Sequence, residues 1–399
     1  MPKSETSGSI RQQNKENQPA SLLLGPGFIV AAAIVSPSTV MSATIVGAGA
    51  GLGGAGLVAV VVLATIILQE MAARLGTLTG IGLGEILRRQ FLTQPAIFTL
   101  LAAALVIALG FGSAVVLTRN LEIGAAGLRT LVPLADPLLV LILAIVAGGL
   151  LEWGSFRVLE RVLIANLGLM GLAFVGTAAG AVGRGAWTWE GIIPTFPPAT
   201  LGSMLTLVGT MIVPSHLFLH ASAASARWSS IRPRGEGLRL ARRDTVIGIV
   251  IGGVVTAAIV VAAAAGLRAE DTPSPLFSLG LFAAGFSSAL VAPLAAALAL
   301  SGLLGWSRKN HPARFRMVWI GVLLLATIAA IGLEQSPALA ILLADVAGSL
   351  ILPIIASVLL MACNMPLLGS YKNRRWHNAL TILVIAIMAT LPILRLFVA

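Results

Sequence analysis

The chain has 399 residues, 57% hydrophobic and only 10% charged, where a soluble domain carries about 25% charged residues. This excludes a soluble globular protein and defines a polytopic membrane protein without a separate soluble module. The net charge of +11 does not point to nucleic acid, because the basic residues lie in short segments between apolar runs. The one cysteine, Cys363, excludes an intrachain disulfide.

Residues 1–20 are polar and lack the apolar stretch of a signal peptide, so a disordered cytoplasmic tail is expected there. A spanning helix needs about 20 apolar residues. On that rule the spans are 22–46, 54–74, 95–118, 137–153, 158–182, 200–226, 245–268, 276–305, 316–333, 337–362 and 377–397. With the N-terminus inside, 21 of the 26 Lys and Arg fall on the cytoplasmic side, leaving Arg119, Arg129, Arg184, Arg268 and Arg395 outside. That asymmetry supports the span count and orientation, with an extracytoplasmic C-terminus in a bacterial-type inner membrane. The Gly47–Gly54 run reads as the turn after span one, since no strand–helix phosphate loop surrounds it. Residues 77–94 are amphipathic and predict a short helix on the cytoplasmic surface. The loop 183–198, with Trp187 and Trp189, predicts external interfacial aromatics.

Span one breaks at Ser36-Pro37-Ser38-Thr39. Proline lacks an amide hydrogen and clashes with the preceding turn. Unpaired backbone is tolerated in the hydrocarbon only where protein or a polar cavity surrounds it. Span six repeats the theme at Thr210-Met-Ile-Val213-Pro-Ser215-His216. The two lie five spans apart. An odd repeat length inverts the second half, so two broken helices meet near the midplane. The expected division is 21–182 for the first five-helix repeat, 200–362 for the second, and 377–397 for an eleventh helix. A plainer alternative makes each proline a kink whose neighbouring hydroxyls satisfy their own backbone.

Several motifs carry a resemblance. Gly25-Pro26-Gly27-Phe28 leads to the first break, and Gln69-Glu-Met-Ala-Ala-Arg74-Leu-Gly-Thr-Leu-Thr-Gly80 closes span two. Ser155-Phe-Arg157-Val-Leu-Glu160 opens span five, Val213-Pro-Ser-His216-Leu-Phe-Leu-His220 forms the second break, and Leu281-Phe-Ala-Ala-Gly285-Phe-Ser-Ser288 lies in span eight. In this order the chain resembles the NRAMP family of divalent-metal transporters over nearly its whole length. The resemblance implies an all-α fold of the leucine-transporter type, about 11 helices, with an inverted five-plus-five repeat and broken helices one and six.

The family's metal ligands are the Asp and Asn of D-P-G-N, the Met of M-P-H, and backbone carbonyls. Ser36, Thr39 and Val213 stand in the side-chain positions here, and nothing acidic matches in Ala108–Leu117. Such a site should hold soft transition metals poorly. The helix N-termini at the breaks favour anions. The expected site is therefore Ser36, Pro37, Ser38, Thr39, Thr210, Val213, Ser215 and His216, carrying a small anion such as bicarbonate by alternating access. His216 could donate to substrate oxygen or titrate. His220, on the same helix face, suggests packing or gating rather than half a zinc site. Glu70 and Arg74 read as an i,i+4 pair.

Asp345 in span ten is an intramembrane acid. It could carry a proton, bind a coupling ion such as Na⁺, or restore a cation site; the bland alternative is a hydrated helix end. It motivates the rival function, a hard divalent cation (Mg²⁺- or Mn²⁺-like) held by Asp345 and backbone carbonyls. A third reading is a non-transporting receptor or scaffold. No catalytic constellation stands out, so no enzyme is expected. No cofactor beyond a coupling Na⁺ or H⁺ is expected. The expected partners are the bilayer and a small inorganic ion, with no nucleic acid, and the protein is expected to be a monomer.

Overall fold

The computed structural model describes residues 24–183, 197–266, 274–306, 311–332 and 338–398. Every regular element among them is helical. The first span is a pair, α1 (Pro26–Ile34) and α2 (Pro37–Ala50), bent by 55°. Then come α3 (Gly53–Thr79), the short α4 (Leu83–Phe91), α5 (Pro95–Arg129), α6 (Asp136–Trp153) and α7 (Phe156–Val182). The sixth span is again a pair, α8 (Leu201–Met211) and α9 (Pro214–Trp228). The rest is α10 (Arg234–Ala264), α11 (Pro275–Leu304), α12 (Pro312–Gly332), α13 (Ala338–Cys363) and α14 (Arg375–Val398).

Among the described residues, eight stretches are long and apolar enough to cross a membrane, and the bent α1–α2 pair makes a ninth. Helices α13 and α14 stand where spans ten and eleven are expected. The protein is a multi-pass membrane protein. Large apolar side chains such as Leu63, Leu100, Ile145 and Leu172 face outward, as a lipid-facing surface requires.

The most enclosed helices are α1, wholly buried, and α11. Lipid is as apolar as leucine, so close backbone approach at small residues has to hold such helices together. Gly27 on α1 faces the backbone of Asp244 and Gly248 on α10, where a β-carbon has no room. Gly124 on α5 crosses α11 at Gly285 in the same way.

Three expectations about elements change. The glycine run after span one is mostly helix, and only Gly51, with φ of 58°, makes the turn. Gly47 instead lets α2 approach Val260 of α10. The amphipathic segment does form α4, but its apolar face packs on protein: Leu83, Gly84, Ile86 and Leu87 are buried, and Gly84 abuts Ala299 and Gly302 of α11. Span three continues past its predicted end at 118 to Arg129, because its polar residues Thr118 and Asn120 are buried against protein rather than exposed to water. Trp187 and Trp189, and most of the external loop, lie outside the described residues, as does the N-terminal tail.

Candidate functional site

Both breaks follow from proline at the same place in a helix. An α-helical carbonyl receives the N–H four residues on. Residue 37 is proline, so the carbonyl of Ala33 has no such partner, and Pro214 does the same to the carbonyl of Thr210. Two carbonyls preceding each of these are satisfied. Ala31 accepts from the Val35 amide at 3.3 Å, and Ala32 from the Ser287 hydroxyl at 2.8 Å. Val208 accepts from the Ile212 amide at 3.1 Å, and Leu207 from the Thr210 hydroxyl at 3.0 Å.

Ala33 and Thr210 line one cavity of about 130 Å³ between the two breaks. Ser36, Ser38, Val213, Ser215 and His216 line it as well, so the two breaks do meet. Pro37 and Thr39 are the exceptions among the expected residues. Neither is a lining residue; Thr39 is fully buried, with its hydroxyl 3.0 Å from that of Ser36. The other walls are α5 (Ala108, Leu109, Gly112, Ser113, Val116, Asn120), α11 (Ser288, Val291, Ala292) and α13 (Gly348, Ser349, Leu352). No charged side chain appears among these described lining residues.

The N-termini at the breaks are less available to an anion than expected. At the start of α2, Pro37 has no amide hydrogen. The Ser38 amide donates to Asn120 Oδ1 at 3.2 Å, the Thr39 amide to Ser36 Oγ at 3.3 Å, and the Val40 amide to the Ser36 carbonyl at 2.9 Å. Every first-turn donor of α2 is thus engaged by protein. At the start of α9, the His216 amide donates to the Val213 carbonyl at 3.1 Å. Of the amides in the first three residues of α2 and α9, that of Ser215 alone has no acceptor among the described residues. The Ala33 and Thr210 carbonyls both lack their helical donor, which suits a cation better than an oxyanion.

Sequence reasoning misses Asn120. Its buried amide accepts from both the amide and the hydroxyl of Ser38, the latter at 2.7 Å, and donates to Ser288 Oγ at 3.3 Å. It ties α2 to α5 and α11 beside the cavity. Between Arg119 and Glu122 it reads as part of a loop, and only its burial shows otherwise. Earlier in the same helix lies a second unsuspected feature. Residues Val106–Phe111 are π-helical, and Ala108 and Leu109 of that segment line the cavity. Such segments are uncommon and gather at functional sites. A third missed residue is buried Asp244, whose Oδ2 accepts the Gly27 amide at 2.7 Å and so anchors the start of α1.

His216 is buried, and among the described residues its Nδ1 has no hydrogen-bond partner. His220 is fully buried and not a lining residue; its Nδ1 lies 2.9 Å from Gln69 Oε1 and its Nε2 3.3 Å from Thr245 Oγ1. With both nitrogens engaged, it does not complete a zinc pair with His216. Among the described residues no cluster of His, Cys, Asp or Glu suits a metal ion. Glu70 pairs with Arg74 at 2.8 Å, as expected, and also with Arg242 at 2.6 Å. Asp345 belongs to α13, but its side chain lies outside the described residues.

Two interrupted helices flanking one small cavity are the arrangement of the leucine-transporter fold. A solved transporter of that fold, MhsT in complex with L-phenylalanine, superposes with a TM-score of 0.52 at 14% identity, covering 94% of this chain and 98% of that one. The manganese transporter of Eremococcus coleocola, solved in complex with an aromatic bis-isothiourea compound, superposes more closely. It gives a TM-score of 0.75 at 18% identity over 99% of this chain and 88% of the other. In sequence, a divalent metal cation transporter MntH from Verminephrobacter eiseniae is 30% identical, covering 93% of this chain and 87% of its own. The MntH of Mycobacterium tuberculosis is 28% identical over 75% of each chain. The model of the family described as natural resistance-associated macrophage protein-like matches residues 27–398, and the chain belongs to that family.

Proposed function

We propose that this chain carries a hard divalent cation, such as Mn²⁺ or Mg²⁺, across a bacterial inner membrane by alternating access at the cavity between the two breaks. The observation that carries this reading is the pair of proline-freed carbonyls, Ala33 and Thr210, on residues that line one small cavity. Hard divalent cations take oxygen ligands, and backbone carbonyls, Ser hydroxyls and, in this reading, the Asp345 carboxylate supply oxygen. The relatives named divalent metal cation transporters support the same choice. This reverses the expectation of bicarbonate. That expectation rests on free helix N-termini, and the donors of α2 are already engaged. Neither the relatives nor the site speaks for symport, and a coupling ion is left to experiment.

A small anion is the second reading, and one observation favours it: no carboxylate lines the cavity among the described residues. Flux into proteoliposomes separates the readings. Mn²⁺ or Mg²⁺ uptake is expected, falling about tenfold or more in Asp345→Asn, since one lost carboxylate removes the only charge proposed for the site. Bicarbonate influx without metal flux would establish the second reading. No flux of either, with intact folding, would favour a scaffold. The orientation proposed with this function places both breaks midway and the N-terminus in the cytoplasm.

A further inference from the structure

A second cavity, of about 540 Å³, lies among the end of α3, α4, the start of α10, the end of α13 and the turn at Pro366–Tyr371. It shares no lining residue with the cavity between the breaks. Its floor is apolar, with Leu75, Ile86, Ala362 and Leu368 all buried. Its rim is basic, with Arg89 and Arg234 both exposed. Arg89 pairs with Glu85, itself half exposed, while Arg234 makes no ion pair among the described residues. The Tyr371 hydroxyl closes the rim beside Gly235.

This end of the bundle carries most of the basic residues, which is the end that meets anionic headgroups in a membrane. A soluble phosphate would use the arginines and leave the apolar floor without purpose. A zwitterionic lipid would use the floor and gain little from the rim. We propose that the cavity binds an anionic phospholipid, with the phosphate at Arg89 and Arg234 and acyl chain along the floor. Lipid seated there touches the 366–371 turn, whose Tyr371 carbonyl accepts from Arg74 Nη1 at 3.0 Å. It would brace the α13–α14 connection against α3.

Native mass spectrometry of the full chain in detergent, with phosphatidylglycerol or phosphatidylcholine added, tests this. Wild type should retain phosphatidylglycerol about tenfold better, the preference expected when two arginines meet an anionic headgroup. The double variant Arg89→Ala/Arg234→Ala should lose that preference. Ala362→Trp, which fills the floor and keeps both charges, should lose the adduct as well. Leu78→Trp on the same wall serves if that variant does not fold, as judged by size exclusion. Equal retention of the two lipids, or an undiminished preference in the double variant, would overturn the proposal. So would inorganic phosphate that displaces the lipid and binds the Trp variant unchanged, since that marks a soluble-anion site.

Discussion

Pro37 and Pro214 act by what they lack. Each removes one amide hydrogen, and the orphaned carbonyl belongs to a residue lining the cavity. Pro37→Ala restores the donor for Ala33 and allows α1 and α2 to run on as one helix. We expect melting temperature unchanged or raised and metal uptake lost, a combination that a simple folding defect cannot produce. Asn120→Ala behaves differently. It leaves the half-buried Ser38 amide without its acceptor, so stability should fall by about 1 kcal/mol along with uptake, read by thermal melting and flux together. The donors proposed for the ion are mainly oxygen, so excess Cd²⁺, which prefers sulfur, should compete weakly with Mn²⁺ in an uptake assay. The prolines and their hydroxyl neighbours are legible in the sequence because each alters backbone hydrogen bonding on its own. Asn120 and Asp244 are not, because their roles depend on partners 82 and 217 residues away.

Elements are legible where apolar length suffices and illegible where burial inside protein replaces lipid. Helix α5 shows both. Its first half, from Pro95, is plain from hydropathy, while Arg119 hides the second half, which runs on to Arg129 beside α11. The π-helical turn at Val106–Phe111 leaves no mark in hydropathy, since one extra residue per turn does not change composition. Deleting Gly110 should return this stretch to α-helix while keeping the flanking residues in register, because the π turn absorbs one extra residue. The cavity wall at Ala108 and Leu109 would then be rebuilt. Loss of uptake with a monodisperse, normally expressed protein is the expected outcome. Helix crossings set a second rule at this scale. Gly27→Leu forces a side chain into the backbone of α10, and about 1–3 kcal/mol of overpacking, or more, should appear as lower expression and melting temperature.

At the scale of the molecule, composition establishes the membrane class, and the ordered motifs establish the fold. The substrate is where sequence reasoning misleads. The missing side-chain ligands are visible, but the engagement of the α2 amides by Ser36 and Asn120 is not, and without it a helix N-terminus looks available to an anion. The central claim is that the two freed carbonyls hold a hard cation. Anomalous diffraction from crystals grown with Mn²⁺ tests it most directly. The account predicts one anomalous peak in the cavity, within about 2.0–2.6 Å of the carbonyl oxygens of Ala33 and Thr210. Planar, non-anomalous density against the Ser215 amide, with no Mn²⁺ peak between the breaks, would contradict it.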